Sequence, residues 1–450
     1  MTTTTTEAAL SREAVQALSA QRGEPNWMRD LRLRCWEAYE ATPAPTARDE
    51  EWRRTDIRWL APETLRLASP NGHAPIPADW QPGDDALATR SALLIERAAT
   101  TAHRSIAPET AAQGVILTDM DTAVREHGEL VRASFMTQAV KPEFSKYAAL
   151  NGALWSGGAF LYVPDNVEVA LPAQARRWLD ESGQGVFPHT LVVVGKNSKV
   201  TFIEEAGSRA SDGTVIVPVV ELVLRAGATL SYMAIQEYDD GLRQIGIQRA
   251  AQERGSTLHS LTATLGGAFS KLNIDVELLE PGTNAEMLGL YFTNGNEFVD
   301  YHTLQDHIAP NAGSNLLFKG VLTDSARVVY SGSIRVHEGA QKTDAYQTNN
   351  NLILSSSARV DSIPNLEISA NDVRCSHAAT VGKVSEDHLF YLMSRGLSRR
   401  EAERLIVIGF LAPLIERVPL ADLRQRLYVL IDAKMGAAGA PYENWIEEAS

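Results

Sequence analysis

Between residues 150 and 382, short β-type runs return about every 29 residues, and that interval limits what the chain can build more than any other feature. A turn with a small or polar residue, followed by a β-type run, recurs at Val169, Val200, Leu230, Leu258, Met287 and Leu316. The successive intervals are 31, 30, 28, 29 and 29 residues. Later markers at Val328, Val360 and Val373 follow at 12, 32 and 13, as a half-turn offset would give. Runs such as "TLVVVG", "KVTFIEE" and "IVPVVELVLRAGATLSYMAI" are separated by Gly, Asn, Asp and Ser, and helical periodicity nearly vanishes. A repeat of this length without helix predicts a coiled, two-sheeted β-solenoid, with Val200, Leu230, Leu258 and Met287 stacked inside. A β-sandwich is the competing architecture, but a repeat over more than 200 residues favours the solenoid.

Helical patterns flank this body. "SREAVQALSAQRG" predicts a helix capped by Ser11 and stopped by Gly23. In the next helix Trp27, Leu31, Cys35 and Tyr39 recur every four residues as an apolar stripe, which makes Cys35 a small buried hydrophobe. Pro43 and Pro45 end that helix, and "ASPNGHAPIPADWQPGDD" predicts an irregular, exposed linker. After Ser385 the pattern is helical again. "SEDHLFYLMSRG" has a Ser cap, acids in its first turn and a glycine stop, and Ser398 and Glu401 stand in capping-box spacing. Ala402, Leu405, Ile406, Phe410 and Leu414 give the second helix a broad apolar face, and Pro413 is expected to kink or end it. "LADLRQRLYVLIDAKMG" predicts a third. The expected division is an N-terminal helical region with a Pro-rich linker (1–110), a solenoid (111–384, clearest from 150) and a C-terminal helical region (385–450). So small an appendage lacks a core of its own, so its apolar faces either pack on the solenoid or bind a partner.

Composition narrows the function classes. The 450 residues carry a net charge of −14, which disfavours nucleic acid or an anionic membrane as partner. Two cysteines, Cys35 and Cys375, make no disulfide framework. The start "MTTTTTEAALSREA" lacks the basic and apolar blocks of a signal peptide, and no run of 18 apolar residues occurs. A cytoplasmic location is expected.

Nucleotide chemistry finds no motif. "VVVGKNS" has Thr190, and "TVGKVS" has His377, where a phosphate-binding loop needs its first glycine. There is no CxxC, HExxH or G-x-S-x-G. His302 and His307 are five apart, which places them on opposite faces of a strand and favours hydrogen-bonding roles over metal ligation. Glu204–Glu205 and Asp239–Asp240 are adjacent, so each pair points opposite ways and is expected in solvated turns rather than as a catalytic pair. A β-helix carbohydrate-active enzyme would want such acids clustered on one sheet. In "NDVRCSHAATVG", Cys375 and His377 share one face of a strand. They are half of a metal site, a thiol whose pKa the histidine lowers, or the packed end of the solenoid.

Residues 339–382, "GAQKTDAYQTNNNLILSSSARVDSIPNLEISANDVRCSHAATVG", resemble the SufB/SufD family of the SUF iron–sulfur cluster assembly machinery. "EEWRRTDIRWL" (50–60), "FSKYAALNGALWSGGAFLYVPDNVEVALP" (144–172) and "EDHLFYLMSRGLSRREAERLIVIGF" (386–410) fit as well, and CSH rather than an EHEA-like motif is similar to the SufD branch. Departures are Ala378 where a glycine is frequent, Asn371-Asp372-Val373 where DDV is usual, and Pro413 within a helix. The resemblance implies a right-handed parallel β-helix flanked by helical parts, acting as a non-enzymatic scaffold. It would pair with SufB through the end of the β-helix and recruit the ATPase SufC through Leu405, Ile406 and Phe410. Cys375 and His377 would lie at the SufB interface, where a transient iron–sulfur cluster assembles and iron ligands are shared. A reduced flavin in the complex and a homodimer of the isolated chain are further expectations. A purely structural adaptor with no cluster contact is the alternative within the family.

Overall fold

The computed structural model describes residues 11–68, 76–83 and 85–436. Two long sheets face each other across a narrow interior. One, here the back sheet, runs from Ala173–Leu179 through Lys199–Ser208, Thr229–Tyr238, Thr257–Gly266, Asn284–Thr293, Gly313–Leu322 and Asp344–Ile353 to Arg374–Lys383, all parallel. The front sheet is formed by the alternating strands, ending at Arg327–Val336 and Arg359–Ile368. Together they make a β-solenoid of about eight turns.

The interior is packed by alternate residues of both sheets. Val200, Leu230 and Leu258 stand in register, as the repeat predicts, but the column continues through Ala285, not Met287. Met287 pairs with Leu316 two residues further along. Both columns point inward, because a shift of two preserves the face. The larger side chains drew the sequence register away from the small Ala285.

Many strands are apolar on both faces, so each sheet also needs cover outside. On the front sheet the cover is N-terminal. Helix α1 (Arg12–Arg22) is capped by Ser11, whose hydroxyl accepts from the Ala14 N–H, and Gly23 ends it in the left-handed region. Helix α2 (Asn26–Ala41) buries Met28, Leu31, Arg32, Cys35 and Trp36, while Trp27 and Tyr39 are only half-buried. The predicted stripe is therefore rotated. Its cause is Arg32, which is fully buried, pairs twice with Glu24 (2.8 and 2.6 Å) and donates to the carbonyls of Ala153 and Trp155. Helix α3 (Lys146–Leu154) is buried from Tyr147 to its end. Residues 1–110 are not helical throughout, since Ala92–Arg97 and Thr100–Ile106 form a hairpin that joins the back sheet. Part of the predicted exposed linker, residues 69–75 and 84, lies outside the described residues. The rest is not all exposed, because Trp80 is buried between the guanidinium groups of Arg176 and Arg426.

On the back sheet the cover is C-terminal: α5 (Arg399–Ile415) and α6 (Ala421–Lys434) lie on it, and α4 (Glu386–Ser394) packs against α5. The Ser398–Glu401 capping box is present, and Pro413 is tolerated in the last turn of α5, which ends two residues later. Val407, Ile408, Leu411, Leu414 and Ile415 pack on Ile203, Met233, Ile235, Leu261 and Leu290. Most of the apolar face is thus spent on the solenoid. No helix among the described residues is long and apolar enough to cross a membrane.

Leu258 is 1% exposed in the interior column. Leu258→Ala is expected to destabilise the chain by roughly 2–5 kcal/mol in urea unfolding; a change below about 0.5 kcal/mol would contradict the stacking. His307 also faces inward, its Nε2 2.8 Å from Ser314 Oγ, and burial pushes its imidazole down to about 4. An unfolded histidine titrates near 6.5, so below that pH the unfolded state takes up protons that the folded state refuses. The contribution of this group should therefore be flat above pH ~6.5 and fall as pH drops toward 4, with about 2 kcal/mol lost from it between pH 7 and 5. The same urea titration on His307→Gln should lack that component.

Candidate functional site

The two ends of the solenoid differ. At the N-terminal end each sheet closes on a reversed strand, Thr100–Ile106 on the back sheet and Ile116–Asp119 on the front. At the C-terminal end both sheets stop on parallel strands, Arg359–Ile368 and Arg374–Lys383, each with one edge unpaired among the described residues. Nearly every residue of Arg374–Lys383 is exposed, and Tyr346, Ile368 and Val381 are exposed apolar side chains around it. An unpaired, partly apolar edge of this length is a ready template for another strand.

Cys375 and His377 lie on this last strand. Cys375 pairs in register with Ala345 and His377 with Gln347, so both point toward the interior at its open mouth, while Ser376 beside Tyr346 points outward. This is the geometry expected from their spacing. Their environments differ. Cys375 is half-buried against Ile334, Val336, Ala340 and Ala345. Burial, helped by the nearby Asp344 carboxylate, pushes its thiol up. Of the three readings, a thiol lowered by His377 is the one this environment disfavours in the chain alone. The His377 ring is exposed and forms no hydrogen bond or ion pair among the described residues. Among those residues, no three His, Cys, Asp or Glu side chains gather as a metal site. Two donors of different softness, one accessible, are what this end presents.

Other sequence candidates separate from it. Cys35 is wholly buried 3.8 Å from the Met136 sulfur, and burial pushes its thiol up to about 12, as befits a packed hydrophobe. Glu204 and Glu205 do point opposite ways but are not solvated turn residues. Glu204 accepts from Thr190 (2.7 Å) and Tyr232 (2.6 Å) inside, whereas Glu205 is buried outside against Arg426 (2.7 Å) and so ties α6 to the back sheet. Asp239 does sit in a turn, accepting from Ser208 and Ser211. His302 faces outward, its Nε2 3.1 Å from Asp300. Asp300 belongs to a cluster that sequence reasoning missed. It is fully buried, 2.7 Å from Lys271, and also accepts from Thr55. Lys271 donates to the Glu51 carbonyl and lies 4.7 Å from the Trp52 ring. "EEWRRTD" is thus a latch that fastens the N-terminal segment to the front sheet. Its only sequence signal was the motif itself, because Lys271 and Asp300 lie more than two hundred residues away.

Of the predicted docking residues, Leu405 is exposed, whereas Ile406 and Phe410 are half-buried. Lys319 lies over the Phe410 ring and donates to its carbonyl, so Phe410 is held on the solenoid. The exposed apolar side chains of this hairpin are Phe390, Tyr391 and Met393 together with Leu405.

The family pattern described as "SUF system FeS cluster assembly, SufBD core domain" matches residues 177–410, and that of the "SufBD protein N-terminal region" matches 8–175. The chain belongs to the SufB/SufD family. It is 31% identical over 432 residues to the iron–sulfur cluster assembly protein SufD of Bacillus subtilis (strain 168), covering 96% of this chain and 99% of that one. With SufB of the same organism the identity is 28% over 430 residues, covering 92% and 90%. A SufBD family protein of Staphylococcus epidermidis (strain ATCC 12228 / FDA PCI 1200) is likewise 28% identical, over 427 residues. For this SufB/SufD family member the junction of the two family patterns falls within the back-sheet strand Ala173–Leu179, where the regular repeat begins.

Proposed function

We propose that this chain is a non-enzymatic scaffold subunit that pairs with SufB through the open end of its solenoid and supports assembly of an iron–sulfur cluster there. The observation that carries this reading is the last turn, uncapped among the described residues, with Cys375 and His377 on one face beside its unpaired strand edge. A partner strand laid on that edge would satisfy its backbone groups and bring further ligands to the two donors. The cluster is cargo, held between chains and passed on. An exposed imidazole is a good iron ligand, so His377 takes the leading role; Cys375, with its thiol pushed up, is a secondary ligand or sulfur carrier. ATP hydrolysis belongs to SufC. Its dock is the exposed apolar side of the C-terminal hairpin, centred on Phe390 and Leu405 with Ile406 beside them and Phe410 as support beneath. A reduced flavin at the complex and a homodimer of the isolated chain, formed through the same edge, extend the proposal.

Phe390→Asp combined with Leu405→Asp should reduce SufC co-purification by about tenfold or more, the scale of losing an apolar hot spot. Melting of the solenoid should be unchanged, since neither side chain packs on it; undiminished SufC capture by the folded variant would place the dock elsewhere.

The complex with SufB and SufC carrying His377→Ala should assemble normally but form cluster less well by about tenfold or more, a typical cost of disturbing a metal site. Anaerobic absorbance measures the yield, and Cys375→Ala should lose less. Full yield with both residues replaced would leave a purely structural adaptor.

A further inference from the structure

The strand beneath Arg374–Lys383 sends three carboxamides into the interior: Gln347, Asn349 and Asn351. Two of them are fully engaged. Asn349 donates to the Tyr291 hydroxyl (3.2 Å) and accepts from Ser362 (2.8 Å) and Asn351 (2.7 Å). Gln347 is different. It is 1% exposed, yet neither its Nε2 nor its Oε1 has a hydrogen-bond partner. An unpaired buried amide carries a desolvation cost that a leucine of similar volume would avoid.

The surroundings of Gln347 point in one direction. Its in-register neighbour on the preceding strand is Leu316, which offers nothing to bond. Across the interior stands Gly332, where an added methyl would collide with the Gln347 carboxamide; the chain keeps space for this group. The Tyr330 hydroxyl nearby is already shared with Thr303 (3.0 Å). The neighbour on the following strand is His377. Stacked side chains on adjacent parallel strands lie close enough to bond along the ladder after a side-chain rotation.

We propose that Gln347 is the positioning residue of His377: its Oε1 accepts one ring N–H of the imidazole, which fixes the tautomer and leaves the other ring nitrogen as a lone-pair donor turned to the mouth. Histidines that bind metal characteristically hold their second nitrogen in such a bond. The proposal rests on the role given to His377 above, but its test does not depend on cluster formation. The full-length chain is labelled with 15N-histidine, and the His377 signal, assigned by its loss in His377→Ala, reports the ratio of the two tautomers at pH 8. The wild-type ring should be biased to one tautomer. Gln347→Leu should move the ratio toward that of free imidazole by about threefold or more, the effect of one net hydrogen bond. Gln347→Glu, which keeps an acceptor of the same reach, should retain the bias. Because the Gln347 Nε2 stays buried without a partner even when Oε1 holds the imidazole, Gln347→Leu should leave the melting temperature close to wild type, unlike the drop expected of a merely structural glutamine. Gln347→Met serves equally if the leucine variant folds poorly. An unchanged tautomer ratio in the apolar variants overturns the proposal. Full cluster yield from the His377→Ala complex would instead defeat the site reading and leave the tautomer result standing.

Discussion

In a parallel stack of strands, each turn satisfies its backbone groups only through the turns above and below, and the stack has no inherent place to stop. The interior columns of this chain, Val200–Leu230–Leu258–Ala285 and Met287–Leu316–Gln347–His377, are the side-chain expression of that rule. Its consequence is that the ends matter most. A reversed strand closes each sheet at the N-terminal end, and among the described residues neither sheet is closed in this way at the C-terminal end. The molecule is therefore polar along its axis, with one terminated end and one end still able to pair.

The helices follow from the same architecture. Strands that are apolar on both faces need cover outside as well as inside. Helices α1 to α3 cover the front sheet and α5 and α6 the back. Polar fasteners fix each cover in place: Lys271–Asp300 with Thr55 in front, and Arg426 with Glu205 behind. The cover stops short of the last turns, where burial falls away along Arg359–Ile368 and Arg374–Lys383. Alpha-helical surface not needed for this cover, at Phe390, Tyr391 and Leu405, stays exposed.

The two donors at the open mouth are unequal for physical reasons. Cys375 sits where the apolar interior still closes around it, so its thiol is held protonated, whereas His377, one pleat further along the strand, stands clear. A partner that brings positive charge or a metal ion to the mouth would reverse the first effect. On the proposed reading such a partner would complete the half-site from outside, in a chain whose family is named for cluster assembly.

Local rules in the sequence determined a good deal. The 29-residue recurrence gave the solenoid, Ser11, Gly23 and the Ser398–Glu401 box bounded helices, and period two placed Cys375 and His377 on one face. These depend on spacing, turn chemistry and alternation, which are properties of neighbouring residues. Only the tertiary structure decided which column Met287 joins, that Arg32 and Glu205 are buried, that Phe410 is held by Lys319, and that Cys375 has its thiol raised. Each of those is set by a residue far away in the chain: Leu316 for Met287, Ala153 for Arg32, Arg426 for Glu205, Lys319 for Phe410, and Ile334 and Val336 for Cys375. Burial and electrostatics sum over everything nearby in space, and periodicity along the chain carries no record of that sum.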